Sequence, residues 1–256
     1  MIRSSLRQVA VLCVTASLAA GFMVAGLTSG PAMAADALSA AQKDEVRKVV
    51  KDYLMEHPEV IADAINALQA NEEKAKTDKQ AATLKERKKD VFDLADGTIL
   101  GNPKGNVTMV EFFDYNCGYC KAMFPAMMDT VKADGNIRLL MKEFPILGPS
   151  SITASKAALA ARKQNKYSEL HLALMSHKGS LTDDTVMQIA KDTGLDMAKL
   201  TKDMADPAVT TIITRNRDLA QDLDIQGTPA LVIGDTLIPG AIDKARITEL
   251  VKATRH

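Results

Sequence analysis

Two cysteines separated by two residues, Cys117 and Cys120 in Cys-Gly-Tyr-Cys, are the side chains best suited to chemistry in this chain. A thiolate attacks sulfur and binds soft metals. A pair at this spacing therefore either exchanges electrons with a disulfide or supplies half of a zinc site. Zinc usually takes four protein ligands, and no second cysteine pair exists. The histidines, His57, His171, His177 and His256, are distant from Cys117 in sequence and are not spaced as a helical ligand pair. A structural disulfide stabilises most when it closes a long loop, whereas a two-residue gap closes almost nothing. The pair is read as redox chemistry, with no metal and no cofactor: Cys117 attacks and Cys120 resolves the mixed disulfide.

That chemistry needs a particular setting. Val107 to Phe113 is β-branched and aromatic, which predicts a buried strand running directly into the cysteines. A helix is expected over Lys121 to about Ala133. Its N-terminus offers unpaired N–H groups and a partial positive charge where the Cys117 thiolate would sit. On the strand, Val107, Met109, Glu111 and Phe113 share one face. Glu111 is a candidate proton relay to Cys120 if it is buried there, and an ordinary solvent-facing glutamate if it is not. Gly118 and Tyr119 lie between the cysteines, with Tyr119 expected to be exposed. Met123 and Met127, at i and i+4, are a soft-sulfur pair suited to Cu(I) or, more simply, core filler. Tyr115 and Phe124 read as packing residues.

The elements that must hold this site follow. A second strand is expected over Ile137 to Phe144, then a helical block over about 151–222 with helix starts at Thr182 and Asp206-Pro207. Strands Pro229 to Ile233 and Thr236 to Pro239 meet at Gly234-Asp235, and a last helix starts near Asp243. Gly97, Gly101-Asn102-Pro103 and Gly105-Asn106 read as turns. Ahead of this, Val46, Val49, Val50, Tyr53 and Leu54 form one helical stripe, broken at His57-Pro58, and Val60, Ile61, Ala64, Ile65 and Leu68 form another. Between Asn71 and Asp90 only Leu84 is large and apolar, so a solvated helix or a linker is expected.

The first 34 residues read as a cleaved secretory signal: Arg3 and Arg7, an apolar run from Val9 to Leu27, and a small-residue exit at Ala32-Met33-Ala34. The alternative is a membrane anchor. Cleavage would remove Cys13 and leave two cysteines in an oxidising compartment, the periplasm. The 32 basic and 32 acidic residues of the 256 cancel, and no basic stripe points to nucleic acid. The expected division is signal 1–34, helical extension and linker 35–90, and an α/β domain 91–256.

Cys117-Gly118-Tyr119-Cys120-Lys121 with Pro125 resembles the thioredoxin CxxCKxxxP pattern. Gly227-Thr228-Pro229 resembles the cis-proline loop of that fold. The helical insert and Glu111-Phe112-Phe113 resemble the DsbA-like branch, over about Ile99 to Ala253. The extension resembles the suppressor-of-copper-sensitivity C (ScsC) proteins. The resemblance implies a thioredoxin fold with a helical insertion. It also implies a Thr228–Pro229 loop beside the cysteines, where Thr228 pairs with a client strand. An ordinary trans proline at an edge strand is the alternative for Pro229. Gly118-Tyr119 departs from the Pro-His dipeptide of strongly oxidising DsbA, which leaves the redox potential open.

These features predict protein thiol–disulfide exchange by a disulfide isomerase or reductase. The expected clients are unfolded or misoxidised secreted proteins, and the expected reductant is a DsbD-like membrane protein. Residues 35–70 are expected to assemble a homo-oligomer, with a trimer as the number the resemblance implies. Several sites facing one client raise the effective concentration for a second attack. The alternatives are an extension folded on its own domain, a monomeric DsbA-like dithiol oxidase, and a Cu(I)-binding periplasmic protein.

Overall fold

The computed structural model describes residues 38–94 and 98–255; the expected signal and its cleavage point lie outside them. Two compact units are present, one up to Ala62 and the other from Asp63 onward.

In the first unit, α1 (Ala40–Glu56) starts with a reciprocal capping box. The Ser39 hydroxyl accepts from the Gln42 N–H at 3.3 Å, and the Gln42 side chain accepts from the Ser39 N–H at 2.9 Å. The helix ends ahead of His57-Pro58, and α2 (Glu59–Glu86) begins just after, as the proline requires. No residue of α1 is buried: Val46, Val49, Val50 and Tyr53 each stay at least half exposed.

The second unit is built on a five-stranded sheet of order β1-β3-β2-β4-β5, comprising β1 (Thr98–Gly101), β2 (Val107–Phe113), β3 (Ile137–Glu143), β4 (Ala230–Ile233) and β5 (Thr236–Pro239). β2 and β3 run parallel, and the other pairs are antiparallel. Covered on both faces, the central strands are largely apolar rather than alternating, interrupted by Thr108 and Glu111 in β2 and by Arg138, Lys142 and Glu143 in β3. Alternate residues serve two cores. Val107, Met109 and Phe113 face one side with α4 (Gly118–Asp134), the helical insert and α10 (Lys244–Ala253). Val110 and Phe112 face the other, with Leu219 and Leu223.

Edge strand β1 was not anticipated. It is only four residues long and ends in glycine-rich turns, so turn signals masked it. Those glycines have spatial reasons. A Cβ on Gly105 would lie 2.5 Å from the Asn136 carbonyl oxygen, and one on Gly101, at φ +76°, 2.7 Å from the Ile137 carbonyl oxygen.

The insert comprises α5 (Pro149–Ala161), a short 3₁₀ turn, α6 (Tyr167–Ser176), α7 (Asp183–Asp192), α8 (Met197–Met204) and α9 (Pro207–Asp222). α5 is its axis, and the buried Ala154, Ala157, Ala158 and Ala161 allow close packing. Thr182, Asp206 and Asp243 cap their helices with side-chain oxygens.

The stretch between Asn71 and Asp90 is helical up to Glu86 and then turns through α3 (Lys88–Val91). Its C-terminal part packs on this unit: Leu84 and Val91 join the second core. Gln80 Nε2 donates to the carbonyls of Leu223 (3.2 Å) and Asp224 (3.3 Å), Arg87 pairs with Asp222, and Lys88 with Asp235 at 2.6 Å.

Candidate active site

β2 ends at Phe113 and hands the chain to α4 through Asp114, Tyr115 and Asn116. The buried Asp114 carboxylate accepts from the N–H groups of Asn116 (2.7 Å), Ile146 (2.8 Å) and Leu147 (2.9 Å), while its carbonyl accepts from the Cys117 N–H at 3.0 Å. The Asn116 amide donates to the Ser150 and Ser151 hydroxyls, both at 3.1 Å, and its oxygen accepts from the Leu181 N–H at 2.7 Å. Lys121 Nζ donates to the carbonyls of His177 (2.9 Å) and Gly179 (3.1 Å). The cysteine-bearing turn is thus tied to the insert at both ends.

Cys117 is the N-cap of α4. Its sulfur accepts from the Cys120 N–H at 3.4 Å and its thiol donates to the Thr228 carbonyl at 3.2 Å. Both cysteines are free thiols. Cys117 is 5 % exposed and Cys120 is sealed, while Gly118 and Tyr119, at 72 % exposure, face solvent. The Thr228–Pro229 peptide is cis, and Pro229 is buried.

Beneath the cysteines the electrostatics are those of a dry site. Glu111 is fully buried, and neither carboxylate oxygen has a hydrogen-bond partner. Burial, reinforced by Cys117, raises its pKa well above the usual carboxylate range. Burial, reinforced by Glu111, likewise pushes the Cys120 thiol far up, against a backbone contact from Asp114. Cys120 is therefore a thiol at neutral pH and needs a base before it can attack. Among the described residues, no group of three or more His, Cys, Asp or Glu side chains is arranged to hold a metal.

The family model for the DSBA-like thioredoxin domain matches residues 108–252, more than half of the chain. The chain belongs to this family. Residues 42–75 of this DSBA-like protein also match the model for the copper resistance protein ScsC N-terminal domain. Among solved structures, a thioredoxin-like oxidoreductase from Silicibacter pomeroyi is 43 % identical, covering 65 % of this chain and 96 % of its own, with a TM-score of 0.64. A linker-deletion mutant of ScsC from Proteus mirabilis is 31 % identical over 86 % of this chain and 97 % of its own, at a TM-score of 0.66. The thiol-disulfide exchange protein alpha-DsbA2 from Wolbachia pipientis is 34 % identical over 70 % and 97 %, at 0.65. The chain spans about a quarter of the length of the first curated relatives it matches. One of these is a Na(+)/H(+) antiporter NhaA 1 from Salinispora arenicola, 27 % identical over 61 % of this chain and 25 % of the antiporter. Among the described residues no helix is long and apolar enough to cross a membrane.

The DSBA-like domain is a thiol–disulfide oxidoreductase fold. It gathers Cys117, Cys120, Glu111, Thr228 and Pro229, which are spread over more than a hundred positions of sequence, around one helix start. Met123 and Met127 are buried in the core rather than facing the thiols from solvent. Phe124 is buried, but Tyr115 is more than packing. Its hydroxyl lies 3.1 Å from Glu143 Oε1 and 2.9 Å from His171 Nδ1, and Tyr167 completes the cluster at 3.0 and 3.3 Å from the same atoms. Burial pushes Glu143 up to about 8, against the hydroxyls of Ser155, Tyr167 and Tyr115, and pushes His171 down to about 3. Sequence reasoning did not single out Glu143, Tyr167 or His171. The one local signal was the i, i+4 spacing of Tyr167 and His171 on an otherwise apolar helix. The ties of Asp114 to Ile146 and Leu147, and of Asn116 to Ser150, Ser151 and Leu181, were missed because those partners are distant in sequence.

Proposed function

We propose that this protein is a disulfide isomerase or reductase of secreted proteins, acting in the periplasm. The observation that carries the reading is the contrast between its two sulfurs. Cys117 lies at a helix N-cap, in contact with the Thr228 carbonyl, and Cys120 is sealed behind it beside a carboxyl group with no hydrogen-bond partner.

The Cys117 thiolate attacks one sulfur of a client disulfide. A client–Cys117 bond forms, the client S–S bond breaks, and the second client sulfur leaves as a thiolate. For isomerisation, a different client cysteine attacks the client sulfur of the mixed disulfide, a new client S–S bond forms, and Cys117 leaves as the thiolate. For reduction, formation of the mixed disulfide removes the Cys117 charge that helps keep Glu111 protonated; Glu111 then ionises, takes the Cys120 proton, and the Cys120 thiolate attacks Cys117, breaking the client–Cys117 bond. The client leaves with two added electrons and the protein keeps a Cys117–Cys120 disulfide. A DsbD-like membrane reductase returns the pair to dithiols. Thr228, Pro229, Gly118 and Tyr119 form the client contact around Cys117: Tyr119 and Gly118 are exposed, and the Thr228 carbonyl is positioned to accept a client N–H once the thiol proton is gone.

The exposed apolar residues of α1 and the start of α2 support assembly through residues 35–70, and the ScsC N-terminal match over residues 42–75 overlaps that stretch; the number the resemblance implies is a trimer. Refolding of scrambled ribonuclease tests the reading. The full chain restores ribonuclease activity, Cys117→Ser does not, and a full-length Val50→Glu/Tyr53→Glu variant that no longer associates loses isomerisation while still reducing small disulfides. Equal isomerisation by the dissociated variant would overturn the role given to assembly. A strongly oxidising Cys117–Cys120 couple in a single-chain species would instead assign a dithiol oxidase.

A further inference from the structure

A cavity of about 350 Å³ opens beside the Thr228–Pro229 loop, within the size range of small-ligand sites. Ile225, Pro229, Ala230, Leu237 and Pro239 give it an apolar lining. Its far wall is not part of the thioredoxin sheet. That wall is α2, which presents Glu73, Lys76 and Gln80 from one face at i, i+3 and i+7. The wall is held in place: Gln80 is bonded to the carbonyls of Leu223 and Asp224, and Lys76 pairs with the Asp224 carboxylate at 3.6 Å. Glu73 makes no ion pair among the described residues, so the rim carries one uncompensated negative charge. Thr228 belongs both to this cavity and to the site, because its carbonyl accepts from Cys117.

From this continuity we infer that the cavity is the seat for the client segment flanking the attacked cysteine. It takes an apolar side chain whose neighbours are neutral or basic, and α2 sets that preference. The inference rests on the redox reading above and goes beyond it by naming the client sequence favoured and the residues that choose it. Acidic neighbours are disfavoured by Glu73. A basic neighbour pairs with it while the apolar side chain covers Leu237 and Ile225.

The test uses the full-length reduced protein and two cysteine peptides, each carried as a mixed disulfide with thionitrobenzoate. One has leucine and lysine on both sides of its cysteine, and the other has serine and aspartate. The Cys117 thiolate attacks the peptide sulfur, a Cys117–peptide bond forms, and thionitrobenzoate leaves as the coloured anion. The quantity read is the ratio of the two rates in the wild type, divided by the same ratio in Glu73→Lys, so that the intrinsic reactivity of each peptide cancels. The wild type favours the leucine–lysine peptide, and Glu73→Lys lowers its ratio roughly two- to fivefold, the size of an exposed charge–charge interaction. Gln226→Trp, which fills the cavity mouth from an exposed position, slows the leucine–lysine peptide more than the serine–aspartate peptide. Identical ratios in wild type and both variants overturn the inference, whether the groove is unused or filled by a second copy of the chain. Iodoacetamide alkylation of Cys117 separates the two levels. Rapid alkylation with unchanged ratios overturns the groove alone, whereas a Cys117 inert to both peptides and to iodoacetamide overturns the redox reading and the groove with it.

Discussion

The N-terminal unit and the sheet-bearing unit break the ordinary partition of residues in opposite directions. In the first, Val46, Val49, Val50 and Tyr53 lie half or more in water. In the second, Glu111, Asp114, Glu143 and His171 are fully buried. Each departure costs free energy, since apolar surface is left wet in one case and polar groups lose solvation in the other. The two costs point to different purposes. An apolar stripe on a helix that buries nothing needs another surface to cover it. A buried carboxyl group without a hydrogen bond holds its proton more tightly than a solvated one, because burial disfavours the charge, and this fits the relay role proposed for Glu111. Asp114 is the instructive exception. It is as buried as Glu111, but it accepts three backbone N–H bonds and so serves architecture.

The sharpest way to break this contrast is Glu111→Leu. Loss of the proton acceptor slows release of the mixed disulfide by about 10²-fold, the low end of general acid–base effects. The same change removes an unpaired buried polar group and stabilises the fold by about 1–3 kcal/mol. A stopped-flow measurement of release and a thermal melt read the two together. Undiminished release, or a lower melting temperature, would remove Glu111 from the chemistry.

The exposed stripe is broken by Val50→Glu with Tyr53→Glu. Light scattering is expected to give the mass of one chain where the wild type gives a multiple, with far-ultraviolet circular dichroism preserved. A wild type that is already a single chain would mean the stripe is covered by something else.

Proton linkage sharpens the comparison further. Glu143 ionises near 4.5 when unfolded and at about 8 when folded, so the folded state holds a proton that the unfolded state releases. Its stabilising contribution is complete below pH 4.5 and is lost as pH rises through 8. Glu111 acts in the same direction. His171, held neutral by burial and pushed down to about 3, acts in the opposite direction up to its ordinary 6.5, so the melting temperature should decline most clearly from pH 6.5 to 8. Glu143→Gln keeps an acceptor oxygen for Tyr115 and Tyr167 and should flatten that decline without abolishing it. An unchanged slope would show that Glu143 is ionised in the fold.

The smallest expected effect is Gln80→Ala, which removes the bonds holding α2 to Leu223 and Asp224 and should cost about 1 kcal/mol in a denaturant melt. No loss would mean that α2 is held by Leu84 and the flanking ion pairs alone.

Local order left clear marks in the chain. The β2 strand, the helix start at the cysteines, the Thr182, Asp206 and Asp243 caps, the break at His57-Pro58 and the β4–β5 hairpin were all readable, because each depends on neighbours a few residues apart. The place of the cysteine pair at that helix start was readable for the same reason. Edge strand β1 was not: four residues among glycine-rich turn signals carry too little periodicity, and only pairing with β3 makes them a strand. The sequence put Glu111 on the face shared with Met109 and Phe113, but its burial depended on what covered that face. The Tyr115–Glu143–Tyr167–His171 cluster, the ties of Asn116 to the insert and the α2 wall beside Thr228 all join residues from separate segments. Propensity and spacing act along the chain, whereas desolvation and long-range hydrogen bonds exist only once distant segments have been brought together.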